Sequence, residues 1–334
     1  MSTALEAAGR LRALDPAAYE RHALHQPDRS WPETTCYADL WIELLHALGL
    51  QPEPALAFAV TTGFEGDQWT FAKPSLSDLD LLYGIEVTEL TVWRTLAEHI
   101  ATQRERGNLL TIEVDAHHLA DTAGVTYGVG HSKTTIVPVR LDVTARELDY
   151  FHNAGFFRAT GDDVAALFGG PDPLLPPYVE LVRLDRVRAA ADATLVAQAC
   201  AVLAAHVARI PSENPFVAYG EWLAADNDRL VSGGLDAFHQ YAFATVRNYG
   251  SAFALAASSC RWLASRAPDL EDALTTAGDA YEAIGEAAKT TQFKLARVAA
   301  GRKGGVDELV AEQAAAWHRA TDALRGLFVP SAPG

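Results

Sequence analysis

Three cysteines in 334 residues are too few for a disulfide framework. That scarcity fits a chain whose thiols stay reduced, as in the cytoplasm. No run of about 18 apolar residues occurs, and the opening MSTALEAAGRLRALDP lacks the apolar core of a signal peptide, so neither a membrane span nor a secretory leader is expected. Basic residues are scarce as well. The 27 Lys and Arg face 43 Asp and Glu, the net charge is −16, and no basic run of five or more interrupts that excess. Such a surface repels phosphate backbones and anionic lipid, which argues against a nucleic-acid or membrane partner.

What is present is ordinary globular material, 49 % hydrophobic and 21 % charged, in two textures. Up to about residue 175, short apolar runs alternate with turn residues. The β-branched and aromatic runs 68–72, 85–93, 109–115, 134–142, 147–155 and 178–185 predict strands, and helical spacing predicts helices over 36–48, 93–106 and 161–168. Short turns between the later strands make the sheet largely antiparallel, an α+β arrangement. From about 190 the chain becomes alanine-rich with helical periodicity, punctuated by Pro211, the SGG at 232–234, Pro268 and GRKGG at 301–305. This predicts a bundle of four or five helices. The stretch GGPDPLLPP (169–177) is the expected seam, giving an α+β domain over 1–185 and a helical domain over 186–330.

Cys36 differs from the other two cysteines, which sit inside apolar helices. Leu40, Trp41, Leu44, Leu45 and Leu48 follow it on one helical face that ends at Gly49. A cap at Thr34 or Thr35 puts Cys36 in the first turn, where free amides and the helix dipole favour a nucleophilic thiolate. A capping box at Ser30–Glu33 would instead put it in the second turn. The alternative role is that of a small buried hydrophobe.

A thiol nucleophile needs a base. His22 and His25 are three apart, weak grounds for a metal site, and the adjacent His117 and His118 point to opposite faces if extended. His131 follows two glycines and heads a strongly β-like run. A helix-borne cysteine followed by a strand-borne histidine is the order of the papain-like fold. Asn153, 22 residues after His131, fits the orienting third member, with Asp142 as rival, and its other reading is a turn residue before Gly155.

The blocks TTCYADLWIELLHALG, GFEGDQWTFAKP, LYGIEVTEL, IEVDAHHLADTAGVTYGVGHSKTTI and YFHNAGFF resemble a bacterial family described only as a domain of unknown function, often encoded near carrier proteins and amino-acid-activating ligases. More distantly, the layout is similar to butirosin-biosynthesis-type acyltransferases, with a papain-like N-terminal half and a helical C-terminal half. The resemblance implies Cys36 as nucleophile, His131 as base and Asn153 as orienter. Two positions depart from the relatives: Thr35 stands where the family usually has asparagine, and Ser30 where papain has glutamine. Backbone amides, or Gln68 from the GDQW loop, must then hold the oxyanion.

The chemistry implied is acyl or aminoacyl transfer from the phosphopantetheine thioester of a carrier protein, through an acyl-Cys36 intermediate, to a small-molecule amine or other nucleophile. No bound cofactor and no metal are called for. Glu113, Asp115 and Asp121 would bind a substrate ammonium, or else form a solvated strand end. Arg247 would hold a carboxylate or the pantetheine phosphate, or else form a structural salt bridge. Carrier docking on an acidic protein needs a basic face, and Arg183, Arg186 and Arg188, or Lys289, Lys294, Arg297, Arg302 and Lys303, are the candidates. The same three catalytic residues would serve a cysteine peptidase, amidase or thioester hydrolase. A non-catalytic binding protein, with Cys36 as packing, is the remaining reading; it predicts that Cys36→Ser changes neither ligand spectrum nor activity and that the thiol is alkylated slowly, where both enzymatic readings predict fast alkylation.

Overall fold

The computed structural model describes residues 4–168, 176–302 and 305–328; most of the expected seam, 169–175, and Lys303 lie outside the described residues. Contacts divide the chain into two units. The first comprises Met1–Pro27, Cys36–Pro52 and Ser75–Ala191, and the second Asp28–Thr35, Glu53–Pro74 and Asp192–Gly334. Two segments of the N-terminal half, 28–35 and 53–74, thus fold with the helices.

In chain order the first unit contains α1 (Ala4–Ala13), α2 (Cys36–Ala47), α3 (Leu76–Tyr83), β1 (Glu86–Glu89), α4 (Leu96–Glu105), β2 (Leu109–Asp115), β3 (Lys133–Asp142), β4 (Glu147–His152), β5 (Gly155–Thr160), α5 (Asp162–Phe168) and β6 (Val179–Arg183). The six strands form one sheet of order β1–β6–β2–β3–β4–β5, every neighbouring pair antiparallel. With the helical C-terminal region this is the α+β fold expected. Thr95 and Glu98 close a reciprocal capping box that starts α4. Ile100, Val164 and Phe168 then cover Ile112, Ile136, Leu148 and Tyr150 of the sheet.

Three local departures have physical causes. The strand expected over 147–155 stops at His152, because Asn153 adopts φ +44° and the chain returns at once as β5. Inside β3 the register shifts between Pro138 and Arg140, since a proline in a central strand cannot donate to the ladder and a bulge absorbs the loss. The run 68–72 forms no strand, only the single bridge between Phe64 and Trp69. Its aromatic content signals burial, which Phe216, Tyr219 and Tyr249 provide around Trp69.

The second unit contains, among the described residues, the helices α6 (Asp192–Val207), α7 (Pro215–Ala242), α8 (Asn248–Ala264), α9 (Glu271–Ala299) and α10 (Asp307–Phe328), with α7 broken into two at Gly234 (φ +64°), inside the SGG that punctuates the sequence there. A π-turn, Phe243–Arg247, joins α7 to α8. No helix among the described residues is long and apolar enough to cross a membrane. The segment 28–35 is anchored here by Trp31, 5 % exposed, whose indole N–H donates to the Gly285 carbonyl at 2.8 Å while Lys289 lies over the ring. Gly250 makes this seating possible. A Cβ at 250 would lie 2.6 Å from Ala288 Cβ and 2.8 Å from the Trp31 ring. Gly250→Ala is therefore expected to destabilise the protein by about 1–3 kcal/mol despite alanine's better helix propensity. A urea denaturation midpoint at or above that of the wild type would refute this packing.

Candidate active site

Cys36 is the first residue of α2, and its thiol is partly buried. Three groups act on the sulfur from nearby: the Thr134 hydroxyl and the backbone N–H groups of Thr135 and Tyr37. Each would favour a thiolate. Burial, the largest influence, and then the Asp39 carboxylate oppose it, and together they prevail, so the thiol pKa is raised. Cys36 is thus a thiol at neutral pH, not the pre-formed thiolate that a helix terminus alone suggests.

Thr134 leads onward. Its hydroxyl lies 2.7 Å from Nε2 of His152, and Nδ1 of that ring lies 2.5 Å from Asp121 Oδ2. The Tyr150 hydroxyl donates to Asp121 Oδ1 at 2.5 Å. His152 is 1 % exposed and its Asp121 partner 4 %. Sheet geometry explains the convergence. His152 pairs with Ile136, so Thr134, two residues along β3, presents the same face, and Tyr150, two residues back along β4, does too. Asp121 comes from the 3-10 turn Ala120–Thr122 in the β2–β3 connection. An ionised Asp121 can only accept, so Nδ1 of His152 carries the proton and Nε2 is left as acceptor. With its single proton donated to Nε2, the Thr134 hydroxyl can meet the Cys36 thiol only as an acceptor, and it can favour a thiolate only by turning that proton away from His152. The result is a directed chain, Thr134 to His152 to Asp121, that begins beside Cys36.

The residues expected from sequence fall elsewhere. His131 is 73 % exposed, donates through Nδ1 to Asp115 Oδ2 at 2.6 Å, and stacks on His117 with ring centroids 4.4 Å apart. Burial alone would raise the Asp115 pKa, but bonds from His131 and from the amides of His117 and Ser132 overcome it and lower the value. Asn153 is the turn residue between β4 and β5, and Asp142 accepts from the Ala145 amide at 2.8 Å in the β3–β4 turn. Neither touches the His131 ring. Gln68, in the second unit, accepts from the Trp69 amide at 2.8 Å. Glu113 pairs with Lys133 at 2.6 Å, and Asp121 alone of the three acids joins the Cys36 chain. Arg247 donates to the Thr34 carbonyl at 3.4 Å, stands 3.8 Å from Glu33 and leans over Phe243.

The sequence matches the profile of the DUF1839 N-terminal domain over residues 20–184 and that of the DUF1839 C-terminal domain over 192–326. The chain belongs to the DUF1839 family. No curated protein matches it. Sequence reasoning overlooked two residues of the DUF1839 chain described above, His152 and Thr134. His152 was legible in principle, since Tyr150 and His152 sit two apart in the strand, polar tips on one face.

Five residues of the two candidate basic faces have local partners. Arg183 and Arg186 pair with Glu86, Asp80 and Asp185, and Arg188 binds the carbonyls of Asp80 and Leu81. Lys289 lies on Trp31 and Lys294 donates to the Gly305 carbonyl.

Proposed function

We propose that the protein is a cysteine-dependent acyl or aminoacyl transferase with a papain-like site, in which Cys36 is the nucleophile, His152 the base and Asp121 the orienter. The base thereby moves from His131 to His152, and the orienter from Asn153 to Asp121. The observation that carries the reading is the hydrogen-bonded chain from Thr134 through His152 to Asp121, with the Cys36 sulfur under the influence of the Thr134 hydroxyl.

The thiol attacks the carbonyl carbon of a carrier-bound thioester. As the C–S bond forms, the thiol proton passes to the Thr134 oxygen and the Thr134 proton to His152 Nε2, which leaves an imidazolium held by Asp121. The amides of Tyr37 and Thr135, which act on the Cys36 sulfur, would turn to the oxyanion as it forms. Collapse expels the pantetheine sulfur, which takes the proton from His152 and leaves acyl-Cys36. An acceptor amine then attacks, His152 removes its proton, and the Cys36 sulfur departs and is reprotonated along the same chain. Exchange between thioesters is nearly balanced in energy, so positioning and an oxyanion hole suffice. The donor is the phosphopantetheine arm of an acyl or peptidyl carrier protein, the acceptor a small molecule, and the setting the reducing cytoplasm that three free thiols suit.

The test is intact-protein mass spectrometry after mixing with acyl and aminoacyl thioesters of pantetheine and of carrier proteins. An adduct of acyl mass is expected on the wild type and not on Cys36→Ala. Thioester consumed without an adduct would establish a hydrolase using the same residues. No adduct and no consumption across the panel would leave Cys36 as packing.

A further inference from the structure

A pocket of about 370 Å³ opens where α4 meets β3, β4 and β5. It lies about 20 Å along β3 from Thr134, taking six residues at the strand rise. Its volume is near the lower bound for small-molecule sites. Leu141, over the buried Ile100, Val139 and Leu148, gives it an aliphatic floor, and Arg104, Arg140 and Arg158 give it cationic walls.

The three arginines are held differently. Asp149, 3 % exposed, stands between Arg140 and Arg158 in the cross-strand register and accepts from both. Arg158 donates to it through Nε at 2.6 Å and Nη2 at 2.9 Å, and Arg140 through Nε at 2.5 Å. Arg140 spends further donors on the carbonyls of Leu14 and Arg12. Two guanidinium groups therefore share one carboxylate. Arg104 has no ion pair and no side-chain hydrogen bond among the described residues, although it is half-buried. Burial, followed by repulsion from Arg12 and Arg140, holds its pKa below the usual arginine value. Asp142 and Glu147 at the rim are exposed, and Asp142 already accepts from Ala145. A half-buried cation without a partner is costly unless an anion visits it.

We propose that this pocket binds a small ligand with an oxyanion head on Arg104 and an apolar body on the aliphatic floor. A guanidinium fork accepts carboxylate and phosphate alike, so the head group is one or the other. The site is separate from Cys36, and the proposal stands whether or not the transferase reading holds.

Isothermal titration of the full chain with phenyl phosphate, benzoate, inorganic phosphate and neutral benzyl alcohol tests it. Phenyl phosphate or benzoate is expected to bind at least about tenfold more tightly than either inorganic phosphate or benzyl alcohol, since both charge and apolar body are used. Whichever aryl anion binds better identifies the head group. Arg104→Gln is expected to weaken that binding at least about tenfold at unchanged thermal stability, because the side chain holds no structural partner. Ala101→Phe, which fills the pocket mouth from α4, is expected to weaken it equally while leaving Arg104 in place. If neither aryl anion binds the wild type, or Arg104→Gln binds as well as the wild type, the proposal is wrong.

Discussion

Replacing His152 with alanine is expected to lower thioester consumption by about 10²–10⁴-fold, whereas His131→Ala leaves it within about twofold. The contrast follows from placement. His152 is buried, its tautomer is set by Asp121, and its free nitrogen faces the Thr134 hydroxyl that meets the Cys36 sulfur. His131 is exposed and engaged with Asp115. Thr134 separates a relay from a direct contact. Thr134→Val keeps the shape and removes the hydroxyl, so about a 10–100-fold loss is expected, and Thr134→Ser restores most of it. Activity of His131→Ala below that of His152→Ala would refute the assignment. A fully active Thr134→Val would leave His152 as base but remove the relay.

The second large effect concerns stability. His25→Leu is expected to destabilise the first unit by about 3–5 kcal/mol, because it leaves two buried carboxylates without their cation. His25 has a fully buried side chain on the 3-10 turn Ala23–His25; its Nδ1 meets Glu43 Oε1, and its Nε2 lies 3.2 Å from Asp39 Oδ1. The Tyr19 hydroxyl and the His22 amide also donate to Glu43, at 2.6 and 3.0 Å. Burial by itself would lower the His25 pKa, but hydrogen bonds from its ring to Asp39 and Glu43 overcome that and raise it to about 9. A raised histidine pKa contributes stability that is complete below the unfolded value of 6.5 and is lost as pH rises through about 9. Glu43 is also opposed by burial, yet the His25 bond lowers its pKa, so its share is present above the ordinary carboxylate value and lost on acidification. The stability gap between wild type and His25→Leu should therefore be largest near neutrality and narrow by pH 10. Urea denaturation at both pH values measures it. A gap below about 1 kcal/mol at pH 7, or one that does not narrow, would show that the triad is not the ionic lock described. The same triad sits one helical turn from Cys36, and the Asp39 charge is among the causes that keep that thiol protonated.

Much of this architecture was legible before any coordinates. The helix after Cys36 announced itself through Leu40, Trp41, Leu44, Leu45 and Leu48 with a glycine stop, and α2 occupies that span up to Ala47. The β-branched residues of 109–115 and 134–142 marked two strands, and the alanine-rich periodicity after 190 marked the helices. These signals are local, since a period of 3.6 or 2 is written into consecutive residues. Trp69 shows the limit of that logic, because its β-like neighbourhood was a demand for burial that helices met.

The site needed more than local pattern. His131 heads β3 and has the more conspicuous context, yet register decides which histidine meets Thr134. A shift of one residue in a strand turns a side chain to the other face, so His152 can join the chain where Asn153, at the turn, cannot. Asp121 arrives from a connection whose path no period encodes. The thiol's protonation state was equally out of reach. A helix terminus argues for a thiolate, but burial and Asp39 are tertiary facts, and they outweigh it. The sequence by itself determined the elements and the α+β class, because those depend on spacing along the chain. Only the tertiary structure decided which histidine stands near Cys36, because that depends on strand register and loop path, and on the desolvation that follows once both are set.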